Sequence, residues 1–267
     1  MLFTLIRIFL PVLFVACQGQ PPVAISPQAS TMINERHVNH DASEKTILDS
    51  TTIFTKSDLL GKFDPAAHPE FEKIASTHTG KSNIYLRKET YEAFKRMHKA
   101  AQLEGVNIQI ISATRNFDYQ KGIWEKKWLR EKYQGWKDLD KVKDILKYSS
   151  MPGTSRHHWG TDVDFNSVEL SYFSSGEGKK LYDWLVAHGA EFGFAQTYTS
   201  KSGGRTGYEE EKWHWSYMPL STKMLDEYNK EITYDDLKGF SGCESAAASK
   251  AIEEYVNGID SALKSKE

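Results

Sequence analysis

Between Ser155 and Phe165 the sequence reads SRHHWGTDVDF, two histidines and two aspartates in eleven residues, and about fifty residues on EEEKWHW adds His214 with Glu211 three places before it. Zinc in a hydrolytic site takes three protein ligands from His, Asp and Glu and keeps a fourth position for water. His157 and Asp164 stand seven apart with Gly160 between them. That is enough chain for a tight turn and the start of a strand, so both side chains can meet one ion, with His214 as a third ligand from a neighbouring strand. Two neutral imidazoles and one carboxylate leave such a zinc net positive, which lowers the pKa of its water to about 7. The chemistry still needs a base. In a straight strand, residues an odd number apart point to opposite faces, so Glu211 is expected in a loop or bulge just before the strand of His214. From there it reaches the water rather than the metal, as a general base and then an acid for the leaving amine.

These residues need elements to hold them. ETYEAFKRMHKAAQLEG places Tyr91, Phe94, Met97 and Ala101 at helical spacing and stops at Gly105. VNIQIIS then alternates, which predicts a strand over Val106 to Ser112 leading into the polar loop ATRN. FDYQKGIWEKKWLREKY brings Phe117, Trp124 and Trp128 to one face of a second helix, and EGKKLYDWLVAHGAEFGF predicts a third, stopped at Gly189. GTDVDFN alternates Asp162 and Asp164 against Val163 and Phe165, as a strand does, and EKWHWSYM predicts a final strand in which Trp213 and Trp215 flank His214 and pack on a core. After Pro219 the pattern is helical in STKMLDEYNKE and again in AAASKAIEEYVNGIDSAL, where Ile252, Tyr255, Val256 and Ile259 form a stripe suited to packing. Helices and strands mix without regular βαβ alternation, so the fold class is α+β.

The chain has 267 residues with 34 Lys and Arg against 36 Asp and Glu, a formal charge of −2 without a basic stripe, which argues against nucleic acid as a partner. Seven tryptophans and thirteen tyrosines favour a lined cleft over a module that only makes contacts. The opening MLFTLIRIFLPVLFVAC is an apolar run with one charge, Arg7, followed at once by Gln18, and reads as an export signal rather than a membrane-spanning helix. Residues 18–50, rich in Pro, Ser, Gln and Asn, read as a flexible polar tether. The only cysteine beyond Cys17 is Cys243, so no disulfide frames the fold if Cys17 is modified. His37, His40, His68, His78, His98 and His188 read as isolated surface residues.

Two motifs carry a resemblance. SRHHWGTDVD is similar to the Ser-x-His-x-x-Gly-x-x-x-Asp motif, and EKWH to the Glu-x-Trp-His motif, of zinc D-alanyl-D-alanine carboxypeptidases and dipeptidases, the VanY-like group with the hedgehog/DD-peptidase fold. The resemblance implies that His157, Asp164 and His214 bind zinc, that Glu211 is the catalytic base, and that Ser155 recognises the substrate's terminal carboxylate. SATRNFDYQ resembles the group's Ser-x-x-Arg-(x)4-Gln segment, which implies that Arg115 steadies the scissile carbonyl or carboxylate and that Gln120 lines the pocket. The similarity runs from about Leu59 to Pro219. Asp162 stands where small Ala is common, so two aspartates compete for the ligand position. The interval from His157 favours Asp164, leaving Asp162 to orient an imidazole, and His158 is expected on a cleft wall or behind a ligand.

FVAC resembles the lipobox of bacterial lipoproteins, which implies lipidation of Cys17 and a membrane-anchored place in the bacterial cell envelope. The organisation expected is a signal peptide over 1–17, a linker over 18–50, a zinc peptidase domain over 51–219 with a small antiparallel sheet and flanking helices, and a helical extension over 220–267 packed on that domain. The implied activity is zinc-dependent removal of the terminal D-alanine from peptidoglycan stem peptides by metal-activated attack of water. The alternatives are an L,D-carboxypeptidase or a peptidoglycan endopeptidase on the same scaffold, since specificity lies in loops such as AQTYTSKSGGRTGYEEE, or a zinc-bearing module that only binds the wall. Glu211 argues against the last, because a binder has no use for a base beside its metal.

Overall fold

The computed structural model describes residues 54–265. The expected signal segment, Cys17 and the 18–50 tether lie outside the described residues. Helix α1 (Lys56–Leu60) opens the fold and is followed by a two-stranded antiparallel ribbon of β1 (Phe71–Lys73) and β2 (Tyr85–Arg87), then by α2 (Lys88–Leu103). Next come β3 (Ile110–Ser112), α3 (Phe117–Trp128), α4 (Asp138–Ile145), β4 (Asp162–Phe165), α5 (Gly176–His188), β5 (Phe194–Tyr198), β6 (Glu211–Tyr217) and α6 (Met218–Glu231). The second sheet runs β3-β4-β6-β5, every pairing antiparallel. This is an α+β fold with a small antiparallel sheet and flanking helices. Among the described residues no helix is long and apolar enough to cross a membrane.

Alternation along the two central strands separates core from chemistry. Val163 and Phe165 of β4 and Trp213, Trp215 and Tyr217 of β6 join Phe94 and Met97 of α2 and Leu181 and Leu185 of α5 in one buried cluster. Each such side chain stabilises the fold by about 1.5–3 kcal/mol on burial. The opposite face carries Asp162, Asp164, His214 and Ser216, and the register sets Asp164 opposite His214 and Asp162 opposite Ser216. A second cluster, with Trp124 of α3, Val142 of α4, Trp159 and Tyr228 of α6, packs apart from the first.

Two expectations change. The strand read over Val106 to Ser112 pairs only from Ile110, because β4 ends at Phe165 and Asn166 takes a left-handed φ of 56° that turns the partner chain away. The tail continues as α6, but the second helix expected over Ala246 to Leu263 is reduced to a π-helical turn at Ala251–Val256 and a 3-10 turn at Ser261–Leu263. Positive φ at Lys250 interrupts its path. Ile232, Leu237, Phe240, Val256, Ile259 and Leu263 are buried all the same.

Candidate active site

His157 sits in a 3-10 turn, Arg156–Trp159, which ends at Gly160 and runs straight into β4. Gly160 has φ +71°, and a Cβ there would lie 2.3 Å from the Phe71 ring, so the tight turn between the two ligand-bearing segments requires glycine. One donor atom from each of His157, Asp164 and His214 comes together within 4.8 Å. His157 Nε2 lies 3.4 Å from Asp164, and His214 Nδ1 lies 3.1 Å from its other oxygen.

The remaining ring nitrogens are committed elsewhere. His157 Nδ1 donates to the carbonyl of Ala113 at 2.8 Å, and His214 Nε2 donates to Asp162 at 2.9 Å. Asp162 is itself held by Arg156 Nε at 3.0 Å, by Thr161 Oγ1 at 2.7 Å and by Ser216. Such carboxylate and carbonyl partners fix the tautomer of a ligating imidazole. The competition between the aspartates is thereby resolved: Asp164 faces both histidines, and Asp162 orients one of them from behind. His157 Nε2 and an Asp164 oxygen are buried without a hydrogen-bond partner. Such orphans cost about 1–3 kcal/mol each, and a dication between them satisfies both. The donor set, two imidazoles and a carboxylate, fits zinc.

The charges of the metal-free group follow from the same contacts. Although burial opposes it, Asp164 is held well below the usual carboxylate range by His157 and His214. Burial with nearby Arg115 pushes His157 down to about 4. For His214 burial is outweighed by Asp162 and Asp164, which raise it to about 9.

Glu211 is the first residue of β6 rather than part of the loop before it, and the bulge follows it. Gln196 pairs with Trp215 but Tyr198 pairs with Glu211, so two steps on β5 answer four on β6. Without that excess Glu211 would share the core face of Trp213 and Trp215; with it, its carboxylate comes 3.6 Å from His214 Nδ1. Burial pushes its carboxyl up to about 7, against the pull of His214.

These groups face a cleft of about 630 Å³, whose walls include Arg115, Lys127, Tyr148, Ser149, Val168, Glu169 and Trp213. Arg115 is fixed by its backbone N–H, bonded to the carbonyl of His157 at 3.1 Å. Ser155 and Gln120 are each 1% exposed and stand behind the wall; Gln120 donates to the Ser150 carbonyl at 2.8 Å, and the Ser155 hydroxyl is buried without a partner. His158 is a backbone strut: its Nδ1 donates to the Arg115 carbonyl at 2.6 Å while its Nε2 accepts from the Gly153 N–H at 3.0 Å. Nor are all the other histidines isolated. His98 is buried against His78, ring centroids 4.6 Å apart, and His68 pairs with Asp58 at 3.0 Å.

Lys127 escaped the sequence reading. It donates to Ser149 at 2.6 Å and lines the cleft beside Arg115. The available signal was its spacing: residues 120, 124 and 127 fall on one helical stripe, so a lysine continues the buried face of Gln120 and Trp124.

The sequence profile of the D-alanyl-D-alanine carboxypeptidase family VanY matches residues 83–220, just over half of the chain. The chain belongs to the VanY family. Within it the chain is 29% identical over 137 residues to a D-alanyl-D-alanine carboxypeptidase of Enterococcus faecalis, covering 48% of this chain and 50% of that one. It is also 29% identical over 140 residues to a D-alanyl-D-alanine carboxypeptidase of Enterococcus faecium, covering 52% and 39%. The chain thus spans half or less of the length of these VanY relatives. Among solved structures, the LdcB LD-carboxypeptidase is similar with a TM-score of 0.48 and 21% identity, covering 67% of this chain and 81% of that one. The VanY match begins inside the ribbon, includes every residue of the metal-donor group and Glu211, and ends two residues into α6 beyond Met218.

Proposed function

We propose that this VanY-family protein is a zinc-dependent carboxypeptidase that removes the terminal D-alanine from peptidoglycan stem peptides. The observation that carries the reading is Glu211: a buried carboxylate, turned by a bulge onto the face of the donor group and opening on the cleft. When bound by His157, Asp164 and His214, zinc supplies Lewis acidity, acidifying water and polarising a carbonyl. Glu211 Oε2 accepts the proton of the attacking water and returns it to the leaving amine, a role that its place on the cleft, 3.6 Å from His214 Nδ1, allows. Arg115 and Lys127, on the wall beside it, supply positive charge for a developing oxyanion and for a terminal carboxylate.

The test pairs metal analysis with D-alanine release from a pentapeptide ending in D-Ala-D-Ala. About one zinc per chain and release lost on chelation are expected. In Glu211→Gln, release is expected to fall about 10²–10⁴-fold with zinc content retained. Full activity in that variant would remove Glu211 from the role of base, and release of other fragments by wild type would reassign the reading to L,D-carboxypeptidase or endopeptidase.

We extend the proposal to location: residues 1–17 export the chain and Cys17 is lipidated, anchoring it in the bacterial envelope. Incorporation of labelled palmitate, lost in Cys17→Ala, is the expected result; equal labelling of the variant would refute it.

A further inference from the structure

Between α3 and α4 the chain makes an excursion, residues 129–138, none of which lines the cleft of the metal donors. Its sequence is LREKYQGWKD, and every position but Tyr133 is exposed. The loop is nevertheless fixed in place. The N–H groups of Tyr133, Gln134 and Trp136 donate to the carbonyls of Arg130, Glu131 and Tyr133 at 3.0, 3.0 and 3.1 Å, three turns in succession. The buried Tyr133 donates its hydroxyl to Asp144 at 2.9 Å, and its ring meets that of Trp136 edge-on, centroids 5.3 Å apart. That support holds Trp136 at the surface, 44% exposed, while Leu129 at the start of the loop is 79% exposed.

The charge around these two side chains is one-sided. Residues 126–147 contain eight Lys and Arg against four Asp and Glu, in a chain whose formal total is −2. Within that stretch Lys132 and Lys147 pair with Asp144, and Lys141 pairs with Asp138. Lys126, Arg130, Lys137 and Lys143 are exposed and form no ion pair with a described residue; only Glu131 and Asp140 are acids in the same state. A single exposed leucine is ordinary. Leu129 beside Arg130 and Trp136 beside Lys137, on one ordered loop, are a different matter, because that combination matches a phospholipid interface. There a tryptophan sits at headgroup level, an aliphatic side chain reaches the acyl boundary and cations meet anionic headgroups. A soluble polyanion would use the cations alone and leave Leu129 and Trp136 in water.

We propose that the loop between α3 and α4 docks on the surface of a bilayer containing anionic phospholipid. Leu129 and Trp136 enter the interface, and Arg130 and Lys137 face the headgroups. The inference needs neither the carboxypeptidase reading nor a lipid on Cys17. It gives the folded domain one fixed face toward the membrane, and because the loop is already ordered, little conformational freedom is lost on docking.

The experiment reads the loop itself. The full-length protein is mixed with vesicles of equal parts phosphatidylglycerol and phosphatidylcholine brominated high on its acyl chains, and quenching of Trp136 is taken as the difference between wild type and Trp136→Phe. Attachment through other parts of the chain is common to both proteins and cancels. Trp136 is expected to be quenched on these vesicles, to be unquenched on brominated phosphatidylcholine alone, and to recover as salt is raised. Arg130→Gln with Lys137→Gln is expected to shift the docking equilibrium about tenfold toward the free loop, and Leu129→Ser to shift it in the same direction. Trp136 emission unchanged by anionic vesicles overturns the proposal. Docking that Leu129→Ser leaves unaltered while the double charge variant abolishes it marks a site for polyanions and overturns it as well.

Discussion

At the scale of single residues the site is an arrangement of acceptors whose directions are set by neighbours. Asp162 shows this best, because it touches no cleft and yet determines which nitrogen of His214 is free. Asp162→Asn is predicted to lower zinc affinity about 10–100-fold, the usual cost of losing an orienting partner. Competition with a chromophoric chelator measures it, and an unchanged affinity would show that Arg156 and Ser216 position the ring without the charge. His157, His214 and one of two aspartates were candidates from residue type and spacing, and the fold brings His157, Asp164 and His214 together with Glu211 beside them. The choice of Asp164 over Asp162 became firm only with the register, which pairs Asp164 with His214 across the strands. Lys127 was not legible, since a lysine in a helix ordinarily marks the solvated side.

At the scale of elements, short pieces are tied together by buried polar groups. Asp58 caps α1 by accepting from Thr55 N–H at 2.9 Å and Thr55 Oγ1 at 2.6 Å, and it also receives Arg87 at 3.3 Å. Arg87 in turn donates to the Trp159 carbonyl at 2.8 Å, so α1, β2 and the histidine turn share one knot. Burial would raise the Asp58 carboxyl, but Thr55, Arg87 and His68 together hold it below its ordinary value. A depressed folded-state pKa contributes stability that is present above the unfolded value, about 3.9, and is lost as pH falls through the folded one. Asp58→Asn should therefore cost about 2–3 kcal/mol at neutral pH, and urea titrations should show the gap closing below about pH 4. A gap that persists into acid would mean that shape rather than charge holds the knot. The helices α2, α3 and α5 were readable because their apolar residues keep helical spacing. The bulge in β6 was foreseen only as a need: Glu211 and His214 had to share a face, but an alternating sequence does not say where the extra residues go.

At the scale of the whole molecule the segment after α6 belongs to the scaffold of the site. It pins the long β5–β6 loop: Arg205 donates to the Gly258 carbonyl at 3.0 Å and to Tyr208 at 2.8 Å, and Thr199 donates to Asp260 at 2.8 Å. Six large side chains, Ile232, Leu237, Phe240, Val256, Ile259 and Leu263, are buried. At about 1.5–3 kcal/mol each they contribute an amount comparable with the roughly 5–15 kcal/mol net stability of an ordinary domain. A chain ended after Glu231 is accordingly predicted to lose cooperative thermal unfolding and zinc binding together. A sharp transition with zinc retained would make the segment dispensable. Its burial was legible as an apolar stripe, but its path was not, because Lys250 adopts a left-handed conformation that its residue type does not announce.

That dependence has a consequence in time. The ribosome makes residues 157, 164 and 214 first and the segment that completes their scaffold afterwards, so the donors exist as chain well before they exist as a site. On that prediction the donor group is not assembled until the segment that ends at Leu263 has been made.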